Sequence, residues 1–151
     1  MKNTELKSII TFAIDNEIGA YEFYDNASKK ITDKSLKKTF GEFAAEELGH
    51  RKFLEKFLLN DVAVIQLDEV IDYKVSETVD KPTLTTEMKF AEAIGLAMKN
   101  EEEAMDMYQK LADACLDEKQ KELFIGLAKM EQSHKVRLEK IYVNVAYSEV
   151  W

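Results

Sequence analysis

An all-α chain is predicted, a four-helix bundle of two repeated antiparallel helix pairs joined by one long crossover, and three observations predict it. The 151 residues hold one Pro and five Gly against 33% charged and 46% apolar residues. That is the composition of a single domain, residues 1–151, rich in helix formers and large enough to bury a core. Apolar residues recur at helical spacing over four long stretches. Shifting the sequence against itself by 84 residues also brings Ile10, Ala13, Asn16, Lys37, Phe40, Ala44 and Leu54-Glu55-Lys56 onto Ile94, Ala97, Asn100, Lys121, Phe124, Ala128 and Leu138-Glu139-Lys140 without a gap. Such a match indicates a duplicated two-helix unit.

The first helix is predicted from about Thr4 to Lys30, because Ile10, Ala13, Ile14, Glu17, Tyr21, Tyr24 and Ala27 fall on one face. A second begins near Asp33, a good N-cap, and carries Leu36, Phe40, Phe43, Ala44, Glu47, His50, Leu54 and Phe57 inward before ending near Asn60. A third runs from about Thr86 to Ala114. The fourth opens at Asp117-Glu118-Lys119-Gln120, a start resembling a capping box, and continues past Ile141. Only a few residues join the members of each pair, which makes them antiparallel neighbours. Roughly 25 residues, Asp61 to Thr85, separate the pairs and include the sole Pro82 and the β-rich Val62-Ala63-Val64-Ile65. A link of that length can run along a bundle and let helices two and three lie parallel, or it can let two chains exchange halves.

The formal charge of −8 and a pI near 4.9 repel phosphate backbones and anionic membranes, so neither nucleic acid nor membrane is an expected partner. No signal-peptide pattern follows Met1-Lys2-Asn3-Thr4-Glu5, and no apolar run approaches the ~20 residues that span a bilayer, so a cytoplasmic protein is expected. The one cysteine, Cys115, excludes an internal disulfide and any Cys-x-x-Cys metal site; it is expected to be a small buried hydrophobe. The tail from Tyr142 to Trp151 can extend helix four, cover the bundle end, or pack on a second subunit. A homodimer contact through Val143, Val145, Tyr147, Val150 and Trp151 is the expectation, since these would otherwise form an apolar patch.

The chemistry lies in Glu47-Leu48-Gly49-His50 and Glu131-Gln132-Ser133-His134, which use the only two histidines. Residues three apart share a helix face, so each Glu-x-x-His can offer a carboxylate and an imidazole to one metal or to two adjacent ones. The same 84-residue shift superimposes Glu47 on Glu131, His50 on His134, Glu17 on Glu101 and Tyr24 on Tyr108. Four carboxylates aimed into an apolar bundle are costly unless neutralised, and two divalent cations neutralise them. Carboxylate oxygens with one imidazole per metal suit iron or manganese, singly or mixed. One Glu from each of two helices plus Glu-x-x-His from each of the other two is the ligand set of di-iron carboxylate bundles: Glu17, Glu47, His50, Glu101, Glu131 and His134. Tyr24 and Tyr108, two turns beyond Glu17 and Glu101, can hydrogen-bond to ligands or take part in redox chemistry, and otherwise serve as core tyrosines. Glu46, Glu102 and Glu103 point about 100° or more off the inward face and are expected at the surface, and Met98, Met105, Met107 and Met130 in the core.

In this spacing, over nearly the whole chain, the sequence resembles rubrerythrin and its relatives among the ferritin-like di-iron proteins. The resemblance implies a ferritin-like fold and two iron ions. It implies Glu47 and Glu131 as bridging carboxylates, Glu17 and Glu101 as terminal ones, and His50 and His134 on one metal each. Rubrerythrins reduce hydrogen peroxide at the di-iron site with electrons from a rubredoxin-type iron centre held by four cysteines. With one cysteine this chain has no such module, so the resemblance implies peroxide or dioxygen as oxidant and an external electron donor such as a rubredoxin. Rubrerythrins also carry a further glutamate three residues after the terminal Glu of the third helix, where this chain has Ala104. Iron binding, oxidation, storage or sensing without peroxide turnover is the alternative function.

Overall fold

A computed structural model describes residues 3–60, 84–145 and 150–151. Four α-helices are formed: α1, Asn3–Lys30; α2, Lys34–Asn60; α3, Phe90–Ala114; and α4, Glu118–Val145. At about 1.5 Å per residue each is roughly 40 Å long. The β-rich Val62–Ile65, Pro82 and Tyr147 lie outside the described residues.

Two aspartates start the second helix of each pair. Asp33 Oδ1 accepts the Leu36 N–H at 2.9 Å and Asp117 Oδ2 accepts the Gln120 N–H at 3.0 Å. Both are N-cap bonds to the third helical residue, and the two aspartates are themselves 84 residues apart. The capping box expected at Asp117 is only half made, because Gln120 Oε1 is buried without a partner. The third helix begins at Phe90 rather than near Thr86. Thr85 Oγ1 accepts the Glu87 N–H at 2.9 Å in a turn of its own, and the helix starts only after Lys89, whose backbone is extended. A threonine that satisfies a nearby N–H locally competes with helix formation.

Cross-helix contacts fix the directions. Tyr24 packs on Phe40 and Phe43 while Glu17 lies near His50, so α1 and α2 run antiparallel. Tyr24 reaches Glu101 and Tyr108 reaches Glu17, which makes α1 and α3 antiparallel as well. Helices α2 and α3 are therefore parallel, and the end of α2 and the start of α3 lie at opposite ends of the bundle. This is the one-crossover topology.

The core divides into two clusters with the acidic layer between them. Ile10, Leu54, Tyr108, Leu111 and Phe124 fill one end, and Tyr24, Phe40, Ile94 and Leu138 the other, each less than 2% exposed. Every repeat mate sits in the opposite cluster: Ile10 and Ile94, Phe40 and Phe124, Leu54 and Leu138. The duplication is thus expressed as a pseudo-twofold across the bundle, passing through its middle. Truncating a fully buried Phe40 or Phe124 to alanine removes about 3–5 kcal/mol.

The C-terminal residues cover a bundle end. Trp151 packs edge-on against Phe90 and Phe23, donates from Nε1 to Met88 O at 3.2 Å, and lies under the Lys30 ammonium. Val145 and Val150 join the same cluster, so these three residues of the expected dimer patch pack within the chain, whereas Val143 is exposed. Met107 is buried and Met98 and Met105 line the core as expected, but Met130 is exposed. Cys115 closes α3 as a buried thiol, pushed up to about 11 chiefly by burial.

Candidate metal centre

At mid-bundle, one turn from each helix turns acidic. Glu17, Glu47, His50, Glu101, Glu131 and His134 are the buried polar and charged side chains among the described residues, all under 9% exposed. The i, i+3 spacing does what helix geometry requires, bringing Glu47 with His50 and Glu131 with His134 onto the inward faces of α2 and α4.

Two groups of ligand atoms converge. Glu17, Glu47, His50 and Glu131 offer atoms that all lie within 4.8 Å of one another, as do those of Glu47, Glu101, Glu131 and His134. Glu47 and Glu131 belong to both groups, and each group has its own glutamate and histidine. His50 Nδ1 lies 2.9 Å from Glu131 and 3.6 Å from Glu17; His134 Nδ1 lies 3.0 Å from Glu47 and 3.7 Å from Glu101. Both imidazoles therefore aim the same nitrogen at the cluster.

The two tyrosines close the arrangement crosswise. Tyr24 Oη on α1 donates to Glu101 Oε1 on α3 at 2.6 Å, and Tyr108 Oη on α3 donates to Glu17 Oε1 on α1 at 2.5 Å. Burial, then the neighbouring glutamates, push both phenols well above their ordinary range, so each remains a donor. Each glutamate is thereby held at one oxygen, Oε1, while its Oε2 makes no hydrogen bond.

Within the cluster six buried atoms make no well-aligned hydrogen bond despite their close approach, one from each residue: Glu17 Oε2, Glu47 Oε1, His50 Nδ1, Glu101 Oε2, Glu131 Oε1 and His134 Nδ1. Leaving so many buried polar atoms unmatched is expensive, and hard cations with oxygen and imidazole ligands match them. The residues present fit a pair of metal ions. Without metal, protons must do the neutralising. Burial, with the Glu101 charge and other carboxylates, raises Glu131 well above the carboxylate range; burial does the same to Glu47, outweighing the pull of His134. Burial would raise Glu101 too, but the close approach of Glu131 and His134 and the Tyr24 hydroxyl outweigh it and hold this carboxyl below the ordinary value. For His134, burial acts downward and is overcome by the Glu101 and Glu47 carboxylates, pushing it up to about 10.

One neighbour departs from the sequence expectation. Glu46, expected at the surface, turns its Oε2 to accept a hydrogen bond from His134 Nε2. Its Cα faces about 100° away from Glu47, but the side chain is long enough to reach sideways to α4. The spacing from Glu131 and His134 gave no sign of this, because the contact is between helices. Glu102 is exposed as expected.

Comparison with known proteins agrees with this geometry. Structurally similar chains include a hypothetical protein from Pyrococcus furiosus, 27% identical over 91% of this chain and 88% of that one, with a TM-score of 0.66. A Thermotoga maritima chain, whose description places it among ferritin-like diiron-carboxylate proteins, is 21% identical over 95% of this chain and 96% of its own, with a TM-score of 0.71. Among curated proteins, none matches. Residues 8–142 match the rubrerythrin family model, a span that includes every residue of the repeat and of the buried Glu and His cluster, and the chain accordingly belongs to the rubrerythrin family.

Proposed function

We propose that this chain holds two iron ions and uses them to reduce hydrogen peroxide or dioxygen, with electrons delivered by a separate protein. The observation that carries this reading is the set of six unmatched ligand atoms, divided into two groups that share Glu47 and Glu131. In this reading Glu47 and Glu131 would serve both ions, Glu17 and His50 would complete one position, and Glu101 and His134 the other. When bound, the iron pair supplies the electrons for cleavage of the O–O bond. The chain's own residues do the rest. Tyr24 and Tyr108 orient the terminal carboxylates, the flanking apolar clusters limit water, and Glu47, Glu131 and His134 would hold metal in their deprotonated forms.

A second reading, iron oxidation or holding without peroxide turnover, is favoured by one residue. Ala104 packs partly buried beside the core one turn after Glu101 and has no donor atom where rubrerythrins carry their further glutamate. The test is metal analysis of protein purified without oxygen, followed by peroxide consumption driven by a reduced rubredoxin. Rapid, iron-dependent consumption supports the first reading. Iron-loaded protein that consumes neither peroxide nor dioxygen leaves only the second.

A further inference from the structure

The pseudo-twofold relates the two halves of the centre, but three differences break it around the histidines. Glu46 accepts from His134 Nε2, while the position 84 residues on, which stands in the same relation to His50, is Met130. Among the described residues, the carboxylates near His50 approach it at Nδ1. The Phe43 ring lies over the His134 imidazole with centroids 4.4 Å apart, while its repeat mate is the aliphatic Leu127. His134 is fully buried, and His50 is 8% exposed.

Each difference acts in one direction. Glu46 Oε2 accepts from Nε2 of His134, which places the hydrogen on Nε2 and leaves Nδ1 as the ligand atom. The same contact makes the imidazole a better donor to a cation, and the Phe43 face holds the ring in one orientation. His50 has no carboxylate at the equivalent position to fix its tautomer and stands nearer to water.

We propose that the two metal positions are unequal by construction. The position served by His134 fills first and holds its ion more tightly, and the position served by His50 fills second and exchanges with solution. Glu46 is the positioning residue responsible. This rests on the reading that the cluster binds two metals, and it concerns only their order.

The test is a titration of the metal-stripped protein with cobalt(II), followed by visible absorption and equilibrium dialysis. Losing an outer carboxylate partner of a ligating histidine costs about 10–100-fold in metal affinity, so two steps separated by a ratio of that order are expected. His50→Ala should keep the tight equivalent and His134→Ala should lose it. Glu46→Ala should weaken the first step toward the second. Met130→Glu, at an exposed position that tolerates substitution, should tighten the second toward the first. Two ions filling with equal affinity, or equal losses in His50→Ala and His134→Ala, overturn the ordering while leaving the metal centre intact. No cobalt binding to folded wild-type protein overturns both.

Discussion

Replacing Tyr24 by phenylalanine removes one oxygen atom and tests how the acidic layer is held. In the folded chain Tyr24 Oη donates to Glu101 Oε1 at 2.6 Å, and Glu101 Oε2 is already buried without a partner. Glu101 also has its carboxyl held below the ordinary value, so in metal-free protein this is a hydrogen bond to a charge. Such bonds contribute about 1.5–3 kcal/mol, against about 0.5–1.5 for a neutral pair. For a domain of this size each kcal/mol moves the melting temperature by about 2–4 °C, so Tyr24→Phe should lower it by roughly 3–12 °C. In a Glu101→Gln background the same change breaks only a neutral bond, and a double-mutant cycle by denaturant unfolding of chelated protein should return a coupling of about 1–2 kcal/mol. A loss under about 0.5 kcal/mol, or one of equal size in both backgrounds, would refute the assignment of Tyr24 as the partner that holds Glu101.

Two further outcomes follow from the same layer. Metal-free protein binds more protons folded than unfolded, because Glu47 and Glu131 are raised from 4.5 and His134 is raised from 6.5 to about 10. The stability these protons supply is complete below the unfolded values and is lost as pH rises through the folded ones. The chelated protein should therefore melt at progressively lower temperature from pH 6.5 toward 10, while the metal-loaded protein, whose ligands must be deprotonated, should not; the lowered Glu101 acts only below its ordinary 4.5. A chelated protein whose melting temperature rises across that window would contradict this charge distribution. Ala104→Glu places a carboxylate one turn from Glu101 and should raise the rate of peroxide consumption several-fold in stopped-flow assays with reduced rubredoxin, whereas an unchanged rate would mean that Ala104 does not limit turnover.

The repeat made most of this architecture legible in the sequence. An 84-residue offset that carries Glu17, Glu47, His50 and their mates can be satisfied only if both halves fold alike, so four helix faces and six inward residues emerged from spacing alone. The aspartate starts of α2 and α4 were legible for a related reason, since an N-cap bond joins residues three apart. What was missed is what periodicity does not encode. Thr85 delays α3 through a local turn. Glu46 reaches His134 across an interhelical gap, against the direction of its own Cα. Covering the bundle end was one of three courses open to the tail, and spacing could not single it out because the partners of Trp151, Phe23, Phe90 and Met88, come from distant segments. Met130, read as core filler, is exposed because the position that faces inward on that turn is Glu131.

The most direct test of the centre is the number of iron ions bound per chain, measured by metal analysis after anaerobic reconstitution of the wild type and four alanine variants. Because Glu47 and Glu131 belong to both groups of ligand atoms, and Glu17 and Glu101 to one each, the wild type should hold two ions. Glu47→Ala and Glu131→Ala should lose both, and Glu17→Ala and Glu101→Ala should retain partial occupancy. Full occupancy in a folded Glu47→Ala or Glu131→Ala variant would contradict the shared-carboxylate centre.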